Sequence, residues 1–123
     1  ASYWDFAMQE INDWRESDLG GINHACEMET ALMLHMQEDI VKKEHIIDNP
    51  LKRSTYTGVD LLSGGAVGVS ASFKELSDHG VIGSPSLATK EKGTELFETI
   101  TDKISDFILD FAKWTKPLNG KNE

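Results

Sequence analysis

The sequence predicts a helix-rich single domain with too few strands to close a fold of its own. Three observations lead there: a long helix with one sustained apolar stripe near the C-terminus, two further helical segments in the first 41 residues, and a glycine-rich stretch over 51–90 holding one short strand. A chain of 123 residues is enough for one domain but small for a two-sided sheet flanked by helices. The shortage of strands implies that a larger fold has been divided, with 1–123 as a single partial domain. The chain opens without Met, in what reads as the end of a strand, and is expected to be a processed, cleaved or excised piece.

The elements emerge from local pattern. Asp5 to Arg15 reads as a short helix, with Asp5 as its cap and Phe6, Ile11 and Trp14 on neighbouring faces. A polar turn, SDLGG, separates it from a second helix expected over His24 to Val41. In that helix Met28, Leu32 and His35 share one stripe, and Ala25, Leu32 and Met36 the next. Pro50, after Asp48–Asn49, marks the end of the segment beyond this helix. The 51–90 stretch reads as a functional loop or an oligomer contact, with its strand at Ala66 to Val69. Thr89 caps a helix from Lys90 to Trp114, in which Phe97, Ile100, Ile104, Phe107, Ile108 and Phe111 recur at spacings of a helical stripe. Pro117 and Gly120 stop it, and 115–123 reads as a flexible tail.

Charge and cysteine content exclude whole classes of partner. A formal net charge of -9 argues against nucleic acid and anionic membrane, which need basic patches. Lys42–Lys43 and Lys52–Arg53 are flanked by Glu44 and Asp48 and read as a solvated face. Cys26 stands alone, so there is no internal disulfide and no CxxC motif, and a reducing cytoplasmic compartment fits. No apolar run approaches the roughly 20 residues of a membrane span.

Chemistry centres on GGINHACEMET, residues 20–30. Glycine at Gly20 and Gly21 lets backbone and ligand approach closely before His24. Three readings stay open from the residues: a metal site, a proton-handling histidine where a loop becomes a helix, or an ordinary helix start with Glu27 and Glu29 in its dipole-favoured first turn. Glu27 and Glu29 cannot both join His24 around one ion from a regular helix, and the HExxH pattern is absent. Elsewhere, Trp14 and Trp114 read as packing residues, and Met28, Met33 and Met36 as core filling. His35 and His45 read as helix-face or surface residues. His79, beside Gly80, reads as a loop residue within reach of a neighbouring subunit. Cys26 reads as a small buried residue without a matched base.

HACEMETALML resembles the HAGxxETS segment of the creatininase (creatinine amidohydrolase) family, with Cys26 in the usual glycine place and Ala31 in the usual serine place. SYWDF, Ser2 to Phe6, is similar to the family's strand-end segment carrying an active-site tryptophan. GVIGSPSLATKEKGTELF, Gly80 to Phe97, resembles its GxxGdPxxAtaekG segment before the last helix. The resemblance implies an α/β fold: the C-terminal half of a three-layer arrangement with a parallel sheet and flanking helices, commonly hexameric. It implies a hydrolase acting on the C–N bond of a small cyclic amide with a divalent metal, Zn, Mn or Fe. The ligands would come mainly from an N-terminal half or complementary chain, and none is expected in this one.

Carried over by position, His24 matches the histidine that assists proton transfer. Glu29 matches the motif glutamate, which steadies the histidine region or the surroundings of the metal. Trp4 matches the tryptophan that closes over substrate, with Tyr3 beside it and Gly21 as further substrate contacts. A second tryptophan expected shortly before the histidine is replaced by Gly20 to Asn23, which argues against creatinine itself. The alternatives are hydrolysis of an oxidised sugar or cyclitol ring, for which the polar loop Ser70 to Ser86 is suited, or a non-catalytic assembly subunit in a homo-oligomer.

Overall fold

The computed structural model describes residues 1–52 and 56–114. Arg53 and the 115–123 segment, with Pro117 and Gly120, lie outside the described residues. Two packed helices carry the core, and each is preceded in the chain by one strand of a two-stranded ribbon.

A 3-10 turn at Tyr3–Ala7 leads into α1, Met8–Trp14. Asp5 does not cap the turn. Ser2 does, and its N–H donates to the Asp5 carboxylate at 2.7 Å. The next element is a strand, β1, Ile22–His24, and only then does α2 run, Glu27–Gln37. The helix expected from His24 therefore starts three residues later, because Ala25 adopts φ 48° and no α-helix passes through a left-handed residue. It also ends earlier, in 3-10 turns at Glu38–Ile40 and Lys43–His45.

The glycine-rich stretch holds a single-turn helix, α3, Phe73–Leu76, and a short strand, β2, Ile82–Gly83. No strand forms at Ala66 to Val69; Val67 makes one isolated bridge, to Thr57. Instead β2 pairs antiparallel with β1, Ile22 opposite Gly83 and His24 opposite Ile82, with an irregularity between the two pairs. The sheet found among the described residues is thus small and antiparallel. With the helices it makes a mixed arrangement consistent with an α/β fold.

The last helix, α4, covers Lys90–Phe111, and the Thr89 hydroxyl accepts the Lys92 N–H at 3.1 Å as its cap. Its N-terminal half packs on α2 through Leu96 and Ile100 against Met28 and Leu32, and Ile11 from α1 and Ile22 from β1 complete the core. Each such fully buried side chain contributes about 1.5–3 kcal/mol. Past Ile104 the stripe is covered only in part: Phe107 packs on Phe6 of the N-terminal turn, ring centroids 5.0 Å apart. Phe107, Phe111 and Trp114 pack on one another and stay substantially exposed, so Trp114 is a surface aromatic and not a core one. Of Met28, Met33 and Met36, only Met28 is fully buried, and Met36 lies in the open. Among the described residues no helix is long and apolar enough to cross a membrane.

The crossing of α2 and α4 depends on Gly93. A Cβ there would lie 1.9 Å from the Ala31 carbonyl oxygen and 3.0 Å from the His35 Cβ. Replacing an exposed helical glycine by alanine gains about 1 kcal/mol. Here the overlap reverses the sign. Gly93→Ala is expected to lower stability by about 2–3 kcal/mol, read as a lower urea midpoint with unchanged slope. An unchanged or higher midpoint would show that the helices are not in this contact.

Candidate functional site

The site is built where β1 turns into α2. Ile22 and Asn23 are fixed from both sides: the Leu61 N–H donates to the Ile22 carbonyl at 2.9 Å, the Asn23 amide donates to the Val59 carbonyl at 2.9 Å, and β2 pairs on the opposite edge. At the end of this strand His24 is exposed, with its ring 4.8 Å from the Phe73 ring at 74°. Ala25 comes next with φ 48°, a conformation costing a residue with a Cβ about 1–2 kcal/mol. Its N–H donates to the Glu29 carboxylate at 2.5 Å, one turn into α2. Hydrogen bonds to charged groups contribute about 1.5–3 kcal/mol, enough to offset that cost. Cys26 then caps α2 from a fully buried position, its carbonyl accepting the Thr30 N–H. Burial pushes the Cys26 thiol up, overcoming the helix start that would favour a thiolate.

The two carboxylates of the motif face different partners. Glu27 is fully buried and accepts the Glu16 and Ser17 N–H groups at 3.0 Å each, together with the Lys92 ammonium. Burial alone would raise its pKa, but Lys92 and the N–H donors hold it below the usual carboxylate range. It therefore ties the exit of α1 to the first turns of α2 and α4. Asp60 plays a parallel part: it is buried, pairs with Arg15 at 2.7 Å and accepts the Gly20 N–H at 3.0 Å, which fixes the turn before β1.

Glu29 is the half-buried carboxylate that faces open space. It borders a cavity of about 400 Å³ between α2 and α4, together with Tyr3, Met33, Phe97 and Ile104, and also a smaller hollow shared with Ala25 and Val41. Tyr3 is half-buried beside it and packs on Trp4, ring centroids 4.9 Å apart. Burial first, then the negative charges of Glu29 and Cys26, push the Tyr3 phenol up to about 12. The structure thus brings Tyr3 and Glu29 together, and Glu29 with the backbone beside His24. His24 lines neither hollow. Gly21 is buried, with Ser17 packed where a side chain would lie and its carbonyl accepting the Ser84 N–H. Trp4 packs against the core cluster. His35 bonds the Thr94 hydroxyl at 2.9 Å, and His45 and His79 are exposed.

Residues 1–108 match the family model described as Creatininase: Creatinine amidohydrolase. The chain belongs to the creatininase family. No curated protein and no solved structure matches it. Membership in the creatininase family points to a hydrolase of the amidohydrolase type, and enzymes of this family are generally metal-dependent. Among the described residues, however, no three His, Cys, Asp or Glu side chains gather where they could hold a metal ion. The donor set seen here does not fit a metal centre by itself: Glu27 is engaged by Lys92 and N–H groups, and Glu29 by Ala25.

Four contributors escape a reading of the sequence. Phe73 lies far along the chain from His24, inside a segment with no periodic signal. Ala25 carries no mark of its left-handed backbone, although the position next to glycine in the motif is a hint. Asp60 and Arg15 are coupled only by the fold. The phenol offers a direct check on the geometry around Glu29. A folded-state pKa raised above the ordinary value of 10.0 means the Tyr3 environment stabilises the fold fully below pH 10.0 and loses that stabilisation as pH rises toward about 12. Ultraviolet titration is expected to show Tyr3 ionising near that upper value, and Glu29→Gln to lower it. A Tyr3 phenol titrating at its ordinary value would contradict the placement.

Proposed function

We propose that this chain provides the proton-handling histidine and the substrate wall of a divalent-metal-dependent hydrolase acting on the C–N bond of a small, cyclic amide. The observation that carries this reading is His24, exposed at a strand end and turned outward by a left-handed residue that Glu29 clamps. Strained backbone of this kind, here at Ala25 beside an exposed histidine, clusters at functional sites.

Hydrolysis of an amide adds the oxygen of water to the carbonyl carbon and breaks the C–N bond, and the leaving nitrogen must take up a proton. His24 takes up on its imidazole the proton lost by the attacking water and hands it to the leaving nitrogen as the C–N bond breaks, and the exposed ring leaves room for substrate on its open side. Glu29 does not touch the reacting atoms. It is a positioning residue that fixes the backbone after His24. Tyr3 and Trp4 form an aromatic pair beside Glu29 and close over the substrate from the N-terminal side. Gly21 acts through backbone fit alone.

The metal, Zn, Mn or Fe, comes with an N-terminal half or a complementary chain, which also completes a parallel sheet in a three-layer arrangement. The whole operates as a cytoplasmic homo-oligomer of hexameric type. The exposed Phe107, Phe111 and Trp114 at the end of α4 support such an assembly.

The test combines the chain with its complementary half and measures amide hydrolysis against a panel of cyclic amides and keto-cyclitols. His24→Ala is expected to lower kcat by about 10²–10⁴-fold, the usual contribution of a general acid–base group, while leaving the helical circular dichroism intact. Unchanged turnover in that variant would remove His24 from the chemistry. Turnover of keto-cyclitols in place of amides would move the substrate to the oxidised-ring class.

A further inference from the structure

We infer that Phe73 is a substrate contact that selects flat, ring-shaped substrates at His24, a role that rests on the hydrolase reading above. Phe73 is 55% exposed although it is a large apolar side chain, and His24 is exposed beside it. The two ring centroids lie 4.8 Å apart and their planes meet at 74°. Two planes at nearly a right angle form a corner with one aromatic wall and one titratable wall. A flat ligand laid against the aromatic wall points its edge at the other, which is where a proton must be handed over. Stacking on an aromatic face rewards a planar ring and not an extended chain.

The corner is built, because each wall is tied to the same frame. The turn carrying Phe73 is fixed at its start by the Ser72 N–H and hydroxyl, both donating to the Glu75 carboxylate at 2.8 Å. At its end the Asn49 side-chain amide donates to the Leu76 carbonyl at 3.1 Å and to the Val81 carbonyl at 2.8 Å. The Asn49 backbone exchanges hydrogen bonds with Gly83 at 2.8 and 2.9 Å, and Gly83 pairs with Ile22 in the strand that ends at His24. One connected set of backbone and amide bonds therefore spans from Phe73 to His24. An aromatic from the 51–90 stretch thus stands beside the histidine of a motif whose preceding residues, Gly20 to Asn23, carry no aromatic side chain.

The experiment uses the chain combined with its complementary half and metal, with hydantoin as the planar cyclic probe and N-acetylglycinamide as the linear one. Phe73→Ala and Phe73→Leu are expected to lower the ratio of kcat/KM for hydantoin over the linear amide about tenfold, through KM, and Phe73→Tyr to preserve it. A ratio unchanged in Phe73→Ala would overturn the role of Phe73 while amide hydrolysis itself upheld the wider reading. Saturation-transfer NMR with hydantoin decides the case in which no amide is turned over. A signal lost in Phe73→Ala supports the corner as a planar-ligand site even as the hydrolase reading falls. A signal that persists overturns the inference.

Discussion

The hydrogen bond from the Ala25 N–H to the Glu29 carboxylate holds a residue with a Cβ in left-handed backbone, and the placement of His24 depends on it. Without that bond a preference of about 1–2 kcal/mol favours right-handed or extended backbone at Ala25. Either alternative changes the path by which β1 passes into α2 and so moves the histidine relative to the helix that carries Glu29. The Glu29 carboxylate belongs to α2, so the histidine's aim is referred to the best-packed part of the molecule. Burial first, and then the same carboxylate, raise the Tyr3 phenol pKa, and the carboxylate also borders the apolar hollow, which joins the N-terminal aromatic pair to the histidine through one side chain.

That arrangement needs a rigid frame, and two buried ions supply it. Glu27 gathers the end of α1 and the first turns of α2 and α4 around one carboxylate, and Asp60 does the same for Arg15 and the turn at Gly20. A buried charge costs several kcal/mol unless every lone pair finds a donor, and both carboxylates here are multiply satisfied. Such groups add little net stability, but breaking either would leave an uncompensated charge in the interior. Their value lies in fixing where β1 begins and α2 starts, which fixes the two ends of the motif.

The sequence pattern reveals the helices because helical periodicity is local. The stripe on α4 and the Thr89 cap are legible, and the helix ends two residues after Leu109 and three before Trp114. The motif is legible as well, since HACEMET and GVIGSPSLATKEKG are contiguous. The strand at Ile22–His24 is not: three residues of pairing with a partner near residue 83 leave no alternation to read. The division of labour between Glu27 and Glu29 is equally hidden. Both stand in the first turn of a helix, and only Lys92 and the N–H groups of Glu16 and Ser17 make one of them a structural ion. The apolar stripe, finally, promises a buried helix along its whole length, but the core cluster reaches only to Ile104 and beyond it Phe6 covers just one side of Phe107, so the last turns carry exposed aromatics.

The central claim is that Glu29 aims His24 by holding Ala25 left-handed. A crystal structure of the Glu29→Ala variant tests it most directly. The expected result is a negative φ at Ala25 and a shift of His24 relative to α2, with the Glu27 and Asp60 contacts intact. An Ala25 that stays left-handed would contradict it.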